Sequence, residues 1–324
     1  MSAEDDGYII QRALTGELAD IASPVRKFFD ERFTNGLREA QRRYREAAPS
    51  LIVPPAPTSE ANPGTIGTAA DWLLRFLVHP HPDLDLAMMG CASCVAAGIQ
   101  IPQATLAEVL HPLGMKPPDR PARAVMTFNG PCEGTKAEPA TLYRACWALA
   151  LLSEAYRGGP DVAALGPLGR FRGHALSADD LLSLAPGAGL NQLARLRQVF
   201  EATLLPALAL RRGTWAVGPT FAGSELMNAD ADLVAAELLL EVKTTAKKPS
   251  LGVADLFQLL GYALLDYDDA FGISAMGLFS AKYGYLATWE LNSFLHELSD
   301  RHVSLAVIRS QFRDLLMRHS ARRR

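Results

Sequence analysis

The stretch NADADLVAAELLLEVKTT, Asn228 to Thr245, puts charge at both ends of an apolar core. Leu233, Val234 and the run Leu238 to Leu240 are the residues of strands bound for an interior. Asp230 and Asp232 precede them, and Glu241 and Lys243 follow. Alternate residues of a strand share a face, so Glu241 and Lys243 project together, as do Asp230 and Asp232. A hairpin centred between Ala236 and Glu237 sets Asp232 directly opposite Glu241. Two carboxylates and an ammonium then meet on one side of a largely apolar sheet.

Such a pair of carboxylates is costly unless it is neutralised. Lys243 cancels one charge, and a divalent cation that prefers oxygen would cancel the rest. Mg²⁺ suits one or two carboxylates together with substrate phosphate. A metal there polarises a phosphoryl oxygen and acidifies a bound water, while the lysine orients that water or offsets growing charge. Carboxylate, carboxylate, lysine and metal suffice for phosphodiester hydrolysis. The competing interpretation is a surface hairpin whose charges solvate one face. Its leucine- and valine-rich flanks argue against that.

Outward from this stretch, 214–221, 230–236 and 238–245 are short, β-rich and turn-bounded, and read as strands. A helix follows from about Val253 to Asp266, then a strand pair over 272–281 and 283–291, then a C-terminal helix. The order β-β-β-α-β-β implies a mixed α/β sheet flanked by helices. Upstream, residues 65–210 are almost wholly helical in pattern. Trp72, Leu73, Phe76 and Leu77 mark one apolar face. ATLYRACWALALLSEAYR forms a helix that Gly158-Gly159-Pro160 ends, and Pro206 interrupts a later one. Residues 1–64 read as a helical segment with a basic face (Arg38, Arg42, Arg43, Arg45) and a proline-rich connector. Three regions are expected: 1–64, 65–210 and a core at 211–324.

Asp232 followed by Glu241-Val242-Lys243 resembles the signature of the PD-(D/E)xK nuclease superfamily, also called restriction-endonuclease-like. Downstream, Gln258-Leu259-Leu260-Gly261-Tyr262 is similar to the Q-x-x-x-Y element of its RecB-like branch. The match covers roughly Trp215 to Leu291. The resemblance implies a restriction-endonuclease-like mixed β-sheet core with a large N-terminal or inserted helical region. It implies that Asp232 and Glu241 ligate Mg²⁺ or Mn²⁺ with the Val242 carbonyl, and that Lys243 assists the attacking water. Gln258 and Tyr262 would position the site or touch DNA. Ala231 stands where the proline of the family name would be.

A further acid from an upstream helix often completes such sites. Gly67-Thr68-Ala69-Ala70-Asp71 resembles the G-x-x-x-H start of the same branch, with Asp71 at the histidine's place; Asp71 as a helix cap or solvated residue is the alternative. Glu201 is a second candidate, and Asp230 is a third or a plain turn residue. Cys91, Cys94, Cys132 and Cys146 match an iron–sulfur cluster in number but lack its spacing, so buried free thiols are expected. His79 and His81 read as loop residues. Arg211-Arg212, Lys247-Lys248 and Lys282 could track a phosphate backbone or be ordinary surface charge.

A formal net charge of -3 announces no global attraction to a polyanion, though a local basic strip and a metal can serve. The acidic opening Met1 to Asp6 is unlike a secretory leader, apolar runs are too short to span a bilayer, and cysteines are sparse. A cytoplasmic protein without membrane contact is expected, with self-association or a protein partner through the helical region as an option. The functional expectation is a metal-dependent deoxyribonuclease serving repair, restriction or defence against foreign DNA. The alternative is an inactive nuclease-fold protein that binds nucleic acid or a partner.

Overall fold

The computed structural model describes residues 9–10, 13–121, 125–247, 251–299 and 303–320. The strands are β1 (Thr127–Asn129), β2 (Thr214–Val217), β3 (Leu233–Ala235), β4 (Leu238–Lys243), β5 (Ala275–Ser280) and β6 (Tyr285–Glu290). They form one mixed sheet in sequential order, antiparallel throughout except for the parallel pair β4–β5. A parallel neighbour needs a crossover, supplied between β4 and β5 by the helix Val253–Leu265. The expected β-β-β-α-β-β order is therefore present. Strand β1 adds an edge that the sequence pattern did not announce.

Helices cover both faces. On one side lie α1 (Leu14–Ala19), α2 (Pro24–Arg32) and α3 (Leu37–Ala47). On the other lie α4 (Pro63–Val78), α5 (Asp85–Ala96), α6 (Gln103–Leu110), α7 (Pro139–Leu165), α8 (Ala178–Ser183), α9 (Gly187–Val199) and α10 (Leu205–Leu208). The crossover helix is α11, and α12 (Leu291–Leu298) and α13 (Leu305–His319) follow β6. The period-two alternation of the strands divides the core between these layers. Leu233, Ala235, Leu238 and Leu240 join the core built from α4 to α9. Val234, Leu239, Met276 and Leu278 join the one built from α1 to α3 and α11 to α13.

The N-terminal segment is thus half of a core layer rather than an appendage. Phe28 and Phe29 of α2 meet Phe312 of α13, with ring centroids 5.2 and 5.5 Å away, and Phe29 also lies 5.1 Å from Phe257 of α11. Helices α1 to α3 pack in the layer of α11 to α13, and α4 to α9 form the layer on the opposite face. The helix expected to end at Gly158 instead kinks at Gly159, whose φ of 75° needs a glycine, and runs on to Leu165. Among the described residues, no helix is long and apolar enough to cross a membrane.

Candidate active site

The β3–β4 ladder pairs Leu233 with Leu240 and Ala235 with Leu238. Continued one step, it sets Asp232 against Glu241, the register expected from the sequence. Asp232 Oδ2 accepts the Val242 amide at 2.6 Å, tying the acid to the end of β4. Glu241 and Lys243 point, like Leu239, toward α11. There Lys243 Nζ donates to Glu241 Oε1 and to Gln258 Oε1, each at 2.9 Å. Gln258 Nε2 donates to Glu241 Oε1 at 3.0 Å and to the Tyr262 hydroxyl at 2.6 Å. One turn of α11 separates Gln258 from Tyr262, so both reach the same carboxylate network. Asp255, one residue short of a turn earlier, stands 3.5 Å from Lys243 Nζ.

Burial dominates the electrostatics. Glu241 is 6% exposed. Burial raises its carboxyl above the usual range, although Lys243 pulls it back. Asp232 is raised well above that range by burial, then by Glu241 and Asp71, against the opposing Val242 hydrogen bond. For Lys243, burial works toward neutrality, but Glu241, Asp255 and Asp232 together outweigh it and hold the ammonium above its ordinary value. Lys243 is therefore a cation at neutral pH.

Two elements that the primary pattern did not include also bear on the site. Helix α4 passes close to the end of β4: a Cβ on Gly67 would lie 3.1 Å from Thr244 Oγ1. This approach brings Asp71 near enough to raise both buried acids. Asp71 is not a helix cap; it ion-pairs at 3.0 Å with Arg75, itself 3% exposed and 5.2 Å from the Trp72 ring centroid. Asp230 also acts on Glu241 and accepts from Arg157 of α7 at 2.8 Å. Arg75 could have been found as the i+4 partner of Asp71; nothing local in the sequence marks Arg157.

Other candidates fall elsewhere. Glu201 does not join the acids: it pairs with Arg197 at 2.7 Å where α9 widens into a π turn over Phe200–Leu204. Arg211 pairs at 2.6 Å with Glu237 in the hairpin turn, the end of β3–β4 away from Asp232 and Glu241. Arg212 caps the Ala209 carbonyl at 2.7 Å. Lys282 is buried and its ammonium lowered by burial, so it does not present a surface charge. Lys247 is exposed, whereas Lys248 and residues 321–324 of the basic tail lie outside the described residues. Arg42 and Arg43 are spent on Glu39, Glu46 and Glu297. The four cysteines are free thiols; burial pushes Cys91 to about 11 and Cys94 to about 12. His79 and His81 form a local turn, the His81 amide donating to His79 Nδ1 at 3.1 Å.

Among the described residues no three His, Cys, Asp or Glu side chains converge as a ready-made metal cage. The donors present nevertheless suit a hard divalent ion. Asp232 Oδ1 and Glu241 Oε2 accept no hydrogen bond from the described residues, while their sister oxygens do. In a strand the N–H and C=O of one residue face the same edge, so the Val242 carbonyl faces the Asp232 side with its amide. Two carboxylates and a carbonyl, completed by water and substrate oxygens, is a set that Mg²⁺ accepts. Comparison with protein-family models, curated proteins and solved structures finds no match to the chain.

Proposed function

We propose that this chain is a metal-dependent nuclease of the restriction-endonuclease-like PD-(D/E)xK class, RecB-like branch, that hydrolyses phosphodiester bonds in DNA. The observation that supports this most is the meeting of Asp232, Glu241 and Lys243 on one face at the end of an apolar hairpin. Buried titratable groups perturbed by a neighbouring acid and cation, as Asp232 and Glu241 are, cluster at functional sites. Asp232, Glu241 and the Val242 carbonyl would hold Mg²⁺ or Mn²⁺, which supplies Lewis acidity toward the phosphoryl oxygen and a more acidic water.

The rest belongs to the chain's own groups. Lys243 stays protonated, so it acts as a fixed positive charge beside the reacting phosphorus and as a donor that aligns the attacking water. Gln258 holds Lys243 and Glu241 at once, with its amide oriented by Tyr262, so the ammonium needs no rearrangement when charge develops. Asp255 tethers the same ammonium from the first turn of α11.

The test is cleavage of linear and plasmid DNA with Mg²⁺, comparing wild type with Lys243→Ala. Cutting by the wild type alone supports the assignment. If wild-type protein cuts neither double-stranded DNA, single-stranded DNA nor RNA with Mg²⁺ or Mn²⁺, the enzyme assignment fails, and retention of DNA without cutting identifies a binding module.

A further inference from the structure

The connector 58–62, Thr65 of α4, α7 and the segment after it line an open cavity of about 320 Å³ whose walls include Glu60, Asn62, Trp147, Leu151 and Glu154. This is at the low end of ligand pockets, about 300–1,000 Å³: space for one heterocycle but not for a base pair. Most of the lining is apolar. Its carboxylates are Glu60, which is exposed, and Glu154, which is half-buried and whose Oε2 accepts from Thr65 Oγ1 at 3.1 Å. Three residues further along α7, on the same face, Arg157 reaches out to Asp230 at 2.8 Å. Asp71 and Asp232 pull on the same guanidinium. One helix therefore carries a carboxylate in a base-sized pocket and a guanidinium at the edge of the candidate cleavage centre.

We propose that this cavity is a nucleotide subsite, in which an unpaired base rich in N–H donors sits against Glu154 and Trp147 while Arg157 binds that nucleotide's phosphate. The subsite rests on the nuclease assignment for its purpose. Carboxylates read bases by accepting from their N–H groups, and aromatic walls favour a planar ring. Guanine fits best, because its N1–H and N2–H lie side by side and match the two oxygens of a carboxylate; thymine offers one N–H. Asp230 occupies Arg157 when no phosphate is present. Both partners are partly exposed, so the pair is weak, and a phosphate can replace Asp230 with a two-pronged contact of its own. An unpaired base implies a single-stranded, frayed or extruded substrate nucleotide.

The deciding experiment is calorimetric titration with guanosine, adenosine and thymidine monophosphates, with and without Mg²⁺. Wild type should prefer the guanine nucleotide over the thymine one by about tenfold to a hundredfold. Glu154→Gln should lose that preference, and Arg157→Ala should weaken every nucleotide alike. Equal binding of the three nucleotides by wild type overturns the proposal even if no variant folds, and so does a guanine preference that survives in Glu154→Gln. Mononucleotides contain no phosphodiester, so the two ideas fail separately. Guanine preference without DNA cleavage sinks the nuclease assignment alone, and cleavage without base preference sinks the subsite alone.

Discussion

The amide of Val242 donates to Asp232 Oδ2 at 2.6 Å, so the strand bearing Glu241 and Lys243 holds its opposing acid in place through its own backbone. This bond favours the ionised form of Asp232, but burial and the nearby acids outweigh it, and the carboxyl ends well above its ordinary range. A folded-state pKa above the unfolded one means that ionisation opposes folding. Its stabilising, protonated form is available at low pH, and stability is lost as pH rises from the unfolded value, about 3.9, through the folded one. Asp232→Asn keeps an acceptor for Val242 and removes the charge. It should abolish cleavage while raising the midpoint of thermal unfolding at pH 7 by about 2–4 °C, with the gain shrinking near pH 4. Melting curves at both pH values check this, and lower stability of the variant at pH 7 would contradict it.

Lys243→Ala leaves Glu241 buried without its cation. Loss of one preorganised electrostatic partner typically costs about a hundredfold or more in turnover. We expect a fall of that size in the rate of DNA cleavage with little change in substrate affinity. The stability cost is modest, because Lys243 is 27% exposed and Glu241 can take up a proton instead. A Lys243→Met, Glu241→Gln double variant should be more stable than Lys243→Met alone, as measured by urea unfolding. A double variant weaker than the single would mean that the pair does not share a cost.

Gln258 is a positioning residue, since its hydrogen bonds go to Glu241, Lys243 and Tyr262. Gln258→Ala removes the link that fixes the ammonium and should lower turnover by about tenfold. Tyr262→Phe leaves that link and removes only its support, at about 1 kcal/mol of stability and a smaller loss of rate. Steady-state cleavage kinetics on one substrate separate the two. A Tyr262→Phe variant slower than Gln258→Ala would reverse the order of importance.

The hairpin and its register were legible because two local signals agreed: the period-two apolar pattern of 233–240 and charges placed symmetrically about Ala236–Glu237. Strand β1 escaped because Thr127–Asn129 is three residues long and runs into Gly130-Pro131, with no room for a period to show. The N-terminal segment read as one helical stretch, yet Ser23-Pro24 and a left-handed Gly36 break it into short helices. Their burial is decided by contacts with residues almost three hundred positions away, such as Phe29 with Phe312. Asp71 was visible as a motif position, whereas its pairing with Arg75 and the reach of Arg157 to Asp230 depend on how α4 and α7 lie over the strand ends. Nothing in a linear pattern fixes that.

Helices α5 and α7 approach backbone to backbone on the α4 to α9 face. A Cβ on Gly90 would lie 1.9 Å from the Leu152 carbonyl oxygen, a backbone atom that cannot turn aside. Gly90→Ala gains helix propensity, roughly 1 kcal/mol, but forces two helices apart in a close-packed core at about 1–3 kcal/mol or more. The clash wins because the atoms it meets are the backbone of α7, which can yield only by moving the whole helix. Net destabilisation of about 2 kcal/mol is expected from chemical denaturation, with m unchanged. A neutral or stabilising result would mean that α5 and α7 can separate freely.

The turn that sets the register is itself strained. Ala236 has φ of 55°, in the left-handed region, and is buried at 5% exposure beside Gly213. Most hairpin turns place glycine or asparagine there, because a Cβ in that conformation costs energy that glycine does not incur. Ala236→Gly removes the strain and adds unfolded-state entropy, for a net gain of about 0.5–1 kcal/mol. Ala236→Val adds branching at the same φ and should cost more than that gain. The register depends on the turn, and a one-residue slip would carry Asp232 to the other face of the sheet. The glycine variant should therefore keep full cleavage activity at higher stability. The valine variant should lose activity at temperatures where it is still largely folded, since strain at the turn acts first on the register that sets Asp232 against Glu241. Parallel melting and cleavage measurements on the two variants provide the check. An Ala236→Gly protein that is less stable than wild type would show that the left-handed turn is no burden to this fold.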